Sequence, residues 1–420
     1  MIVRDEAALI ARCLESVRGI VDEIVVVDTG SEDETVAIAE RFGANVHHFA
    51  WCDDFAAARN AGLERAQGEW ILVLDADEVL MPGSELALRN AMTQAHGGFL
   101  LPLENDLGDG RLHATRLLRL FRRHPGIRFR GRVHEQVSDS IIARGFSIGD
   151  CDARIRHDGY LPQRIVERGK HERNLELLVV MRRESPSDPY AAYQQGKTLL
   201  AAGRAADAAG PLREALDLLS AVPDPETYAF YPKVFLHLAS ALEASGEADE
   251  ALAVVRSGLE RLPTELTLWL RFGLYARAGG LEQEAFDAFE RCLSLEGDGK
   301  VMGRAATLSG DMLWEDGQRH EALVRYRFAA HAAPPDAFEP WLKLATQALQ
   351  MGETTEAKAA YEVVIRLQPE HLPSHLALAT LSFERGDFEA ARFSLEISER
   401  LEPGRSDVRF LLDACHKRGM

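Results

Sequence analysis

The chain has 420 residues, enough for two or three domains with a substantial core, and its 46% hydrophobic and 27% charged content is that of an ordinary soluble globular protein. A net charge of -18 argues against non-specific nucleic-acid binding, because phosphate backbones attract basic surfaces. No apolar run approaches the roughly 20 residues a membrane helix needs, MIVRDEAALI lacks a signal-peptide layout, and five scattered cysteines suit a reducing cytoplasm better than a disulfide framework.

Up to about residue 160 the predicted elements alternate. MIV is a short apolar start with Met1 inside the first strand, so that strand is expected to be only three residues long. AALIARCLESVRG carries helical spacing at Leu9, Cys13, Leu14 and Val17, with Gly19 as a stop. EIVVVD is a continuous apolar run of strand length, as expected for a strand covered on both faces. In SEDETVAIAERFG, Ser31 and Glu34 stand at capping-box spacing before a helix that Gly43 ends. NVHHF, the helix DFAAARNAGLERAQG and the strand WILVLD follow. This order predicts a mostly parallel, Rossmann-like sheet with helices on its faces. Residues 97–160 are less regular, with strand-like pieces at GGFLLPL and RLLRLFRR, and Gln163 to Arg183 is expected to be a joining helix.

From about residue 186 the strand signal ends and a repeat begins. Six glycines each precede an alanine by five residues: Gly203/Ala208, Gly246/Ala251, Gly280/Ala285, Gly317/Ala322, Gly352/Ala357 and Gly386/Ala391. The glycine steps are 43, 34, 37, 35 and 34, and Pro263, Pro334, Pro369 and Pro403 fall 17 residues after four of them, with Gly297 in the same place in the third repeat. Glycine turns the chain between antiparallel helices, alanine lets them approach, and proline ends the second helix. The pattern resembles the tetratricopeptide (TPR) repeat and implies an all-α solenoid of about six helix pairs. The expected boundaries are an α/β domain over 1–162, a linker helix over 163–185 and repeats over 186–420.

Ligands of open α/β sheets bind beyond the carboxyl ends of the strands. Two strands here end in acid, at Asp28 and Asp75, and the second continues to Asp77. An Asp-x-Asp turn offers oxygens to a hard divalent cation, Mn²⁺ or Mg²⁺, which also takes phosphate oxygens from a substrate. The ordered set MIVRDEA, VVVDTGSEDET and FAAARNAGLERAQGEWILVLDADE resembles the donor-binding half of family 2 glycosyltransferases with the GT-A fold. It is nearest the branch that holds lipooligosaccharide β-1,4-glucosyltransferases and bacteriocin S-glycosyltransferases. The resemblance implies a nucleotide-diphosphate sugar donor, with a UDP-sugar expected. It places Val3, Asp5, Glu6 and Asp28 at the nucleoside, Asp75 and Asp77 at the ribose and metal-diphosphate, and Arg59 near the donor.

Arg111 to Arg132 holds eight arginines and no acid, a local inversion of charge. Either the stretch is a solvated strand pair, or Arg119 or Arg132 faces the donor phosphates or an anionic acceptor. An inverting transfer needs a carboxylate base, and the resemblance, whose branch has a His-Glu pair at GRVHEQV, makes Glu135 the expected one, with Asp106, in the apparent loop LENDLGD, its competitor. His134 is expected either to position the substrate beside the donor or to be a packed histidine, and His157, which the resemblance makes a further metal ligand, is otherwise expected to pack at the domain boundary. The predicted reaction is sugar transfer with inversion, the metal acting as Lewis acid and template. The repeats are expected to present a peptide or protein acceptor, or to mediate homodimerisation. A glycan or lipid-linked acceptor is the second reading. A scaffold with a degenerate transferase domain is the third, and a nucleotidyltransferase, which would carry a glycine-rich basic loop where Arg4-Asp5-Glu6-Ala7 stands, ranks below these.

Overall fold

The computed structural model describes residues 1–106, 112–157 and 164–418. It divides into two compact units, Met1–Pro223 and Asp224–Met420.

In the first unit β1 (Ile2–Val3), β2 (Val25–Asp28) and β3 (Asn45–His48) form a parallel sheet that sets Val3 beside Asp28. Helices α1 (Ile10–Ser16) and α2 (Thr35–Arg41) connect these strands. Ile10, Leu14, Val26 and Ala39 are fully buried between them. Gly19 and Gly43 follow the helices at φ 74° and 78°, the left-handed stop their positions predict. The capping box does not form. Asp33 accepts hydrogen bonds from Thr35 N at 2.9 Å and Ala7 N at 3.0 Å, while Ser31 Oγ accepts from Asp5 N. Asp33 lies nearer the first turn, and its charged oxygens are stronger acceptors than a hydroxyl. Ser31 and Asp33 therefore tie down the chain after β1, and α2 starts behind them at Thr35.

α3 (Phe55–Arg65) starts at Asp54, whose Oδ1 accepts from Ala57 N at 2.8 Å. Beyond it, β4 (Trp70–Leu72), β5 (Glu78–Leu80), β6 (Gly98–Asp106), β7 (Leu112–Arg122), β8 (Ile148–Asp150) and β9 (Ile155–His157) make a mixed sheet. Its order is β4-β7-β6-β9-β5, with β8 beside β6. Helices α4 (Ser84–Met92) and α5 (Ser138–Ile142) accompany it. The all-parallel order thus ends at β3, since this sheet mixes parallel pairs (β6 with β8 and β9) with antiparallel ones (β6–β7 and β5–β9). β4 pairs antiparallel with β7, and a groove of about 730 Å³ lined by Ile2, Val25, Val27 and Ile71 runs beside it. Phe99, Leu101, Leu120 and Ile155 form the sheet's core with Leu74, Leu80 and Leu88. Burying a side chain of this size gives about 1.5–3 kcal/mol. The unit closes with α6 (Arg164–Glu184), α7 (Pro189–Ala201) and α8 (Ala205–Ser220). Asp188 caps α7 through Tyr190 N, with Pro189 in the first turn.

The second unit is helical throughout its described residues. A 3-10 turn (Pro225–Thr227) occupies the irregular 43-residue step and precedes α9 (Tyr231–Ala244) and α10 (Ala248–Arg261). Then come α11 (Leu266–Ala278), α12 (Glu282–Ser294), α13 (Gly299–Glu315), α14 (Arg319–Ala332), α15 (Glu339–Gln350), α16 (Thr354–Leu367), α17 (Leu372–Glu384), α18 (Phe388–Leu401) and α19 (Ser406–Arg418). All six turn glycines have φ between 74° and 84°, and all six paired alanines are fully buried. Gly273 of α11 is required by close approach, since a Cβ there would lie 2.4 Å from the Phe289 ring. Among the described residues no helix is long and apolar enough to cross a membrane.

Candidate active site

β4 ends at Leu72, and the chain runs on through buried Val73 and Leu74 and turns through Asp75-Ala76-Asp77 into β5. Asp75 is fixed from several sides. Its carbonyl accepts from Cys13 Sγ at 3.3 Å, and its N–H donates to Glu78 Oε2 at 3.0 Å. Its two carboxylate oxygens are taken by different guanidinium groups: Arg59 Nη2 on Oδ1 at 2.9 Å and Arg119 Nη2 on Oδ2 at 3.1 Å. Burial alone would raise the Asp75 carboxyl, but the two arginines outweigh it and hold it well below the usual range.

Both arginines continue to a second acid. Arg119 donates to Glu78, which is 97% withdrawn from solvent as a side chain at 3% exposure. Arg59 Nε donates to Glu135, and the guanidinium lies 5.6 Å from the Phe129 ring centroid. The result is a chain Glu135–Arg59–Asp75–Arg119–Glu78. One guanidinium joins the carboxylate at the strand end to the carboxylate in the loop after β7.

Beside it, His157 at the end of β9 presents Nε2 to Asp77 Oδ2 at 2.8 Å, while its Nδ1 meets Asn105 Oδ1 at 2.9 Å. With Nδ1–H donating to Asn105, Nε2 turns a lone pair towards a carboxylate oxygen. Two such atoms at that separation call for a proton between them. On the other side Glu6 has its carboxyl pushed up to about 7 by burial and then by the charges of Asp77, Asp33, Asp75 and Asp5. The corner is therefore rich in negative charge on one flank and clamped by arginines on the other.

A family model described as Glycosyl transferase family 2 matches residues 1–153, and tetratricopeptide-repeat models match 232–275 and 342–399. A TPR repeat-containing protein of Synechococcus elongatus is 36% identical over 304 residues, covering 70% of this chain and 74% of that one. The chain belongs to the family 2 glycosyltransferases that carry tetratricopeptide repeats. The SPbeta prophage-derived glycosyltransferase SunS of Bacillus subtilis is 29% identical over 205 residues, 47% of this chain and 48% of its own. An uncharacterised glycosyltransferase of Rickettsia felis is 45% identical over 80 residues, 19% of this chain and 28% of its own.

In this glycosyltransferase the structure brings Arg59, Asp75, Arg119 and Glu135 into one hydrogen-bonded chain, with Asp77 and His157 paired next to it. The nucleoside-side residues are engaged locally. Val3 is core, and its carbonyl accepts from Thr29 N at 2.9 Å. Asp5, at φ 54°, accepts from Glu32 N at 2.8 Å. Asp28 accepts from Ser31 N at 3.0 Å and Gly30 N at 3.3 Å and meets His48 Nδ1 at 3.1 Å. Burial works against these bonds, yet they keep its carboxyl below the ordinary value.

Arg132 stands outside the chain of charges. It makes a two-pronged pair with Glu184 of α6, at 2.7 and 2.6 Å. Elsewhere in the arginine-rich stretch Arg116 pairs with Asp150, Arg128 with Glu64 and Arg122 with Glu69, and Arg122 also stacks 4.4 Å from the Trp70 ring centroid. Asp106 ends β6 rather than sitting in a loop, and its side chain lies outside the described residues.

Sequence reasoning missed Glu78 and Asn105. Glu78 stood in plain view after Asp77, but nothing in the motif says that it folds back onto Asp75 N–H and Arg119. Asn105 acts on His157 only through the parallel pairing of β6 with β9.

For a divalent cation, Asp77 and His157 supply an oxygen and a nitrogen already facing each other, each about one-third exposed. Asp75, with both oxygens on arginines, does not join them in this arrangement. No group of three or more His, Cys, Asp or Glu side chains fit to hold a metal occurs among the described residues. The donor pair fits an ion that keeps water and takes its remaining oxygens from a substrate.

Proposed function

We propose that the enzyme moves a sugar from a nucleotide-diphosphate sugar, a UDP-sugar by preference, to a peptide or protein acceptor, with inversion at the anomeric carbon. The observation that carries this reading is the Arg59 bridge between Asp75 and Glu135. It puts a carboxylate able to take a proton next to the strand end where donors of this family bind. Glu135 accepts the proton of the acceptor's nucleophilic group. That group bonds to the anomeric carbon while the bond to the diphosphate breaks, and the nucleoside diphosphate leaves with the electron pair. Asp77 and His157 would hold Mn²⁺ or Mg²⁺, which neutralises charge on the leaving diphosphate. Arg59 and Arg119 keep Asp75 ionised and oriented at the edge of that site. The peptide acceptor is an argument from the repeats alone, and a glycan or lipid-linked acceptor is the second outcome to test. The five free cysteines agree with a cytoplasmic setting.

The test is thermal stabilisation by UDP or GDP with Mn²⁺, compared between wild type and Asp77→Asn. Nucleotide stabilisation that requires Mn²⁺ and is lost in Asp77→Asn is expected. No stabilisation in wild type, or full stabilisation in the variant, removes the metal assignment.

A further inference from the structure

Glu135 lies in a tight loop closed by paired backbone bonds between Arg130 and Gln136, 2.9 Å in each direction. Two residues of this loop are left-handed: Gly131 at φ 97° and His134 at φ 55°. The second is costly for a residue with a Cβ and persists only where surrounding contacts impose it. The contact at His134 comes from α7. The Tyr190 hydroxyl donates to the His134 carbonyl at 3.1 Å and accepts from Gln136 Nε2 at 2.8 Å. Glu135 is the residue between those two.

Tyr190 packs against the buried cluster of Val133, Leu177, Leu178, Met181 and Ala191, so it approaches the loop from a hydrophobic base rather than from solvent. Arg132 ties the loop's other flank to Glu184 of α6. On its far side the loop reaches α3: Phe55 N donates to the Arg132 carbonyl at 2.8 Å, and Arg59 meets Glu135 itself.

We propose that Tyr190 is a positioning residue for Glu135: its hydroxyl fixes the chain on both sides of the base, which makes the first repeat-type helix part of the transfer machinery. The inference rests on the reading of Glu135 as base. Tyr190 touches no reacting atom. It acts by holding the peptide of His134 in its strained conformation, so that the Glu135 carboxylate points at Arg59 and the acceptor side. Without the hydroxyl, the His134 carbonyl loses the contact that Tyr190 supplies and the carboxylate is aimed less firmly. An error of about 1 Å at a reacting group can cost about 100-fold in rate.

The experiment uses the full chain with Mn²⁺. UDP release from UDP-glucose and GDP release from GDP-mannose measure hydrolysis, in which water replaces the acceptor, and amide exchange follows residues 130–137. Tyr190→Phe keeps the ring and removes only the hydroxyl. Gln136→Met removes the other half of the contact and guards against a folding defect in the first variant. Each is expected to lower kcat by about 10-fold or more, to leave donor KM and UDP affinity unchanged, and to speed exchange at His134–Val137. The double variant is expected to be no worse than either single one. Glu135→Gln is expected to lose hydrolysis without faster exchange. Wild-type kcat or wild-type exchange in both Tyr190→Phe and Gln136→Met, with Glu135→Gln inactive, overturns the role of Tyr190 alone. A near-normal rate in Glu135→Gln overturns the base assignment and this inference with it.

Discussion

Replacing Arg59 by glutamine should destabilise the first unit by about 3 kcal/mol. Arg59 is 11% exposed as a side chain and serves two acids, Asp75 at 34% and Glu135 at 13% exposure. Removing one partner of a buried ion pair costs about 3–5 kcal/mol, because the other charge stays behind in a poor solvent for it. Asp75 keeps Arg119, so the lower end of that range applies, and Glu135 carries most of the loss. In a unit of this size each kcal/mol moves the midpoint by about 2–4 °C, which gives a fall of about 6–12 °C. The assay is thermal unfolding of Arg59→Gln, Glu135→Gln and the double variant. With the stranded charge removed, the double variant should recover at least about 1 kcal/mol relative to the sum of the single changes. A loss below about 1 kcal/mol in Arg59→Gln, or simple additivity in the double variant, would refute the claim that this guanidinium neutralises the two carboxylates.

Three further outcomes are expected. Glu6 holds its proton up to about 7 in the folded state, against about 4.3 in an unfolded chain. Its contribution is therefore complete below the unfolded value and lost as pH rises through 7. Urea unfolding at several pH values should show stability falling across that window, and Glu6→Gln should flatten the slope; an unchanged slope in the variant rejects the assignment. Gly273→Val should weaken the helical unit by more than 1 kcal/mol on the scale of about 1–3 kcal/mol for overpacking, because its Cβ would strike the Phe289 ring. Circular dichroism at 222 nm against temperature would read it, and an unshifted midpoint would count against the close approach. Glu78→Gln should weaken Mn²⁺-dependent UDP binding and also lower the unfolding midpoint, since buried Arg119 loses its acidic partner and Asp75 loses a carboxyl acceptor for its N–H. Calorimetric titration would detect this, and wild-type affinity would show that Glu78 only fills space.

The helical repeats were legible because their signal is local. Glycine at a left-handed turn and alanine at a close helix contact act within one hairpin, so their spacing survives in the sequence. The site was legible in part. Asp75, Asp77, Arg59, Glu135 and His157 stand in ordered motifs, but their connections do not. Arg59 meets Glu135 across 76 residues, and His157 meets Asp77 across 80. Partners that distant are chosen by the sheet, not by neighbours. The β6–β7 hairpin was only half seen, as two strand-like pieces. Arginines at 116, 119 and 122 interrupt the apolar run of β7, and only the folded chain shows that Arg119 is turned inward to serve Asp75. The misplaced helix start has a local cause. Ser31 and Glu34 have the right spacing, and a nearer carboxylate on Asp33 took the amide.

The uniform turn geometry of the repeats has a bearing on how such a chain changes over generations. Each hairpin from α9 to α18 closes with the same glycine φ and the same buried alanine, so neighbouring hairpins are close to interchangeable bricks. Excising α15 and α16 together would bring α14 against α17 with like surfaces facing, whereas excising a single helix would reverse the direction of everything after it. Such a chain can lengthen or shorten its helical arm in whole hairpins while the transfer chemistry, built on other residues, stays as it is.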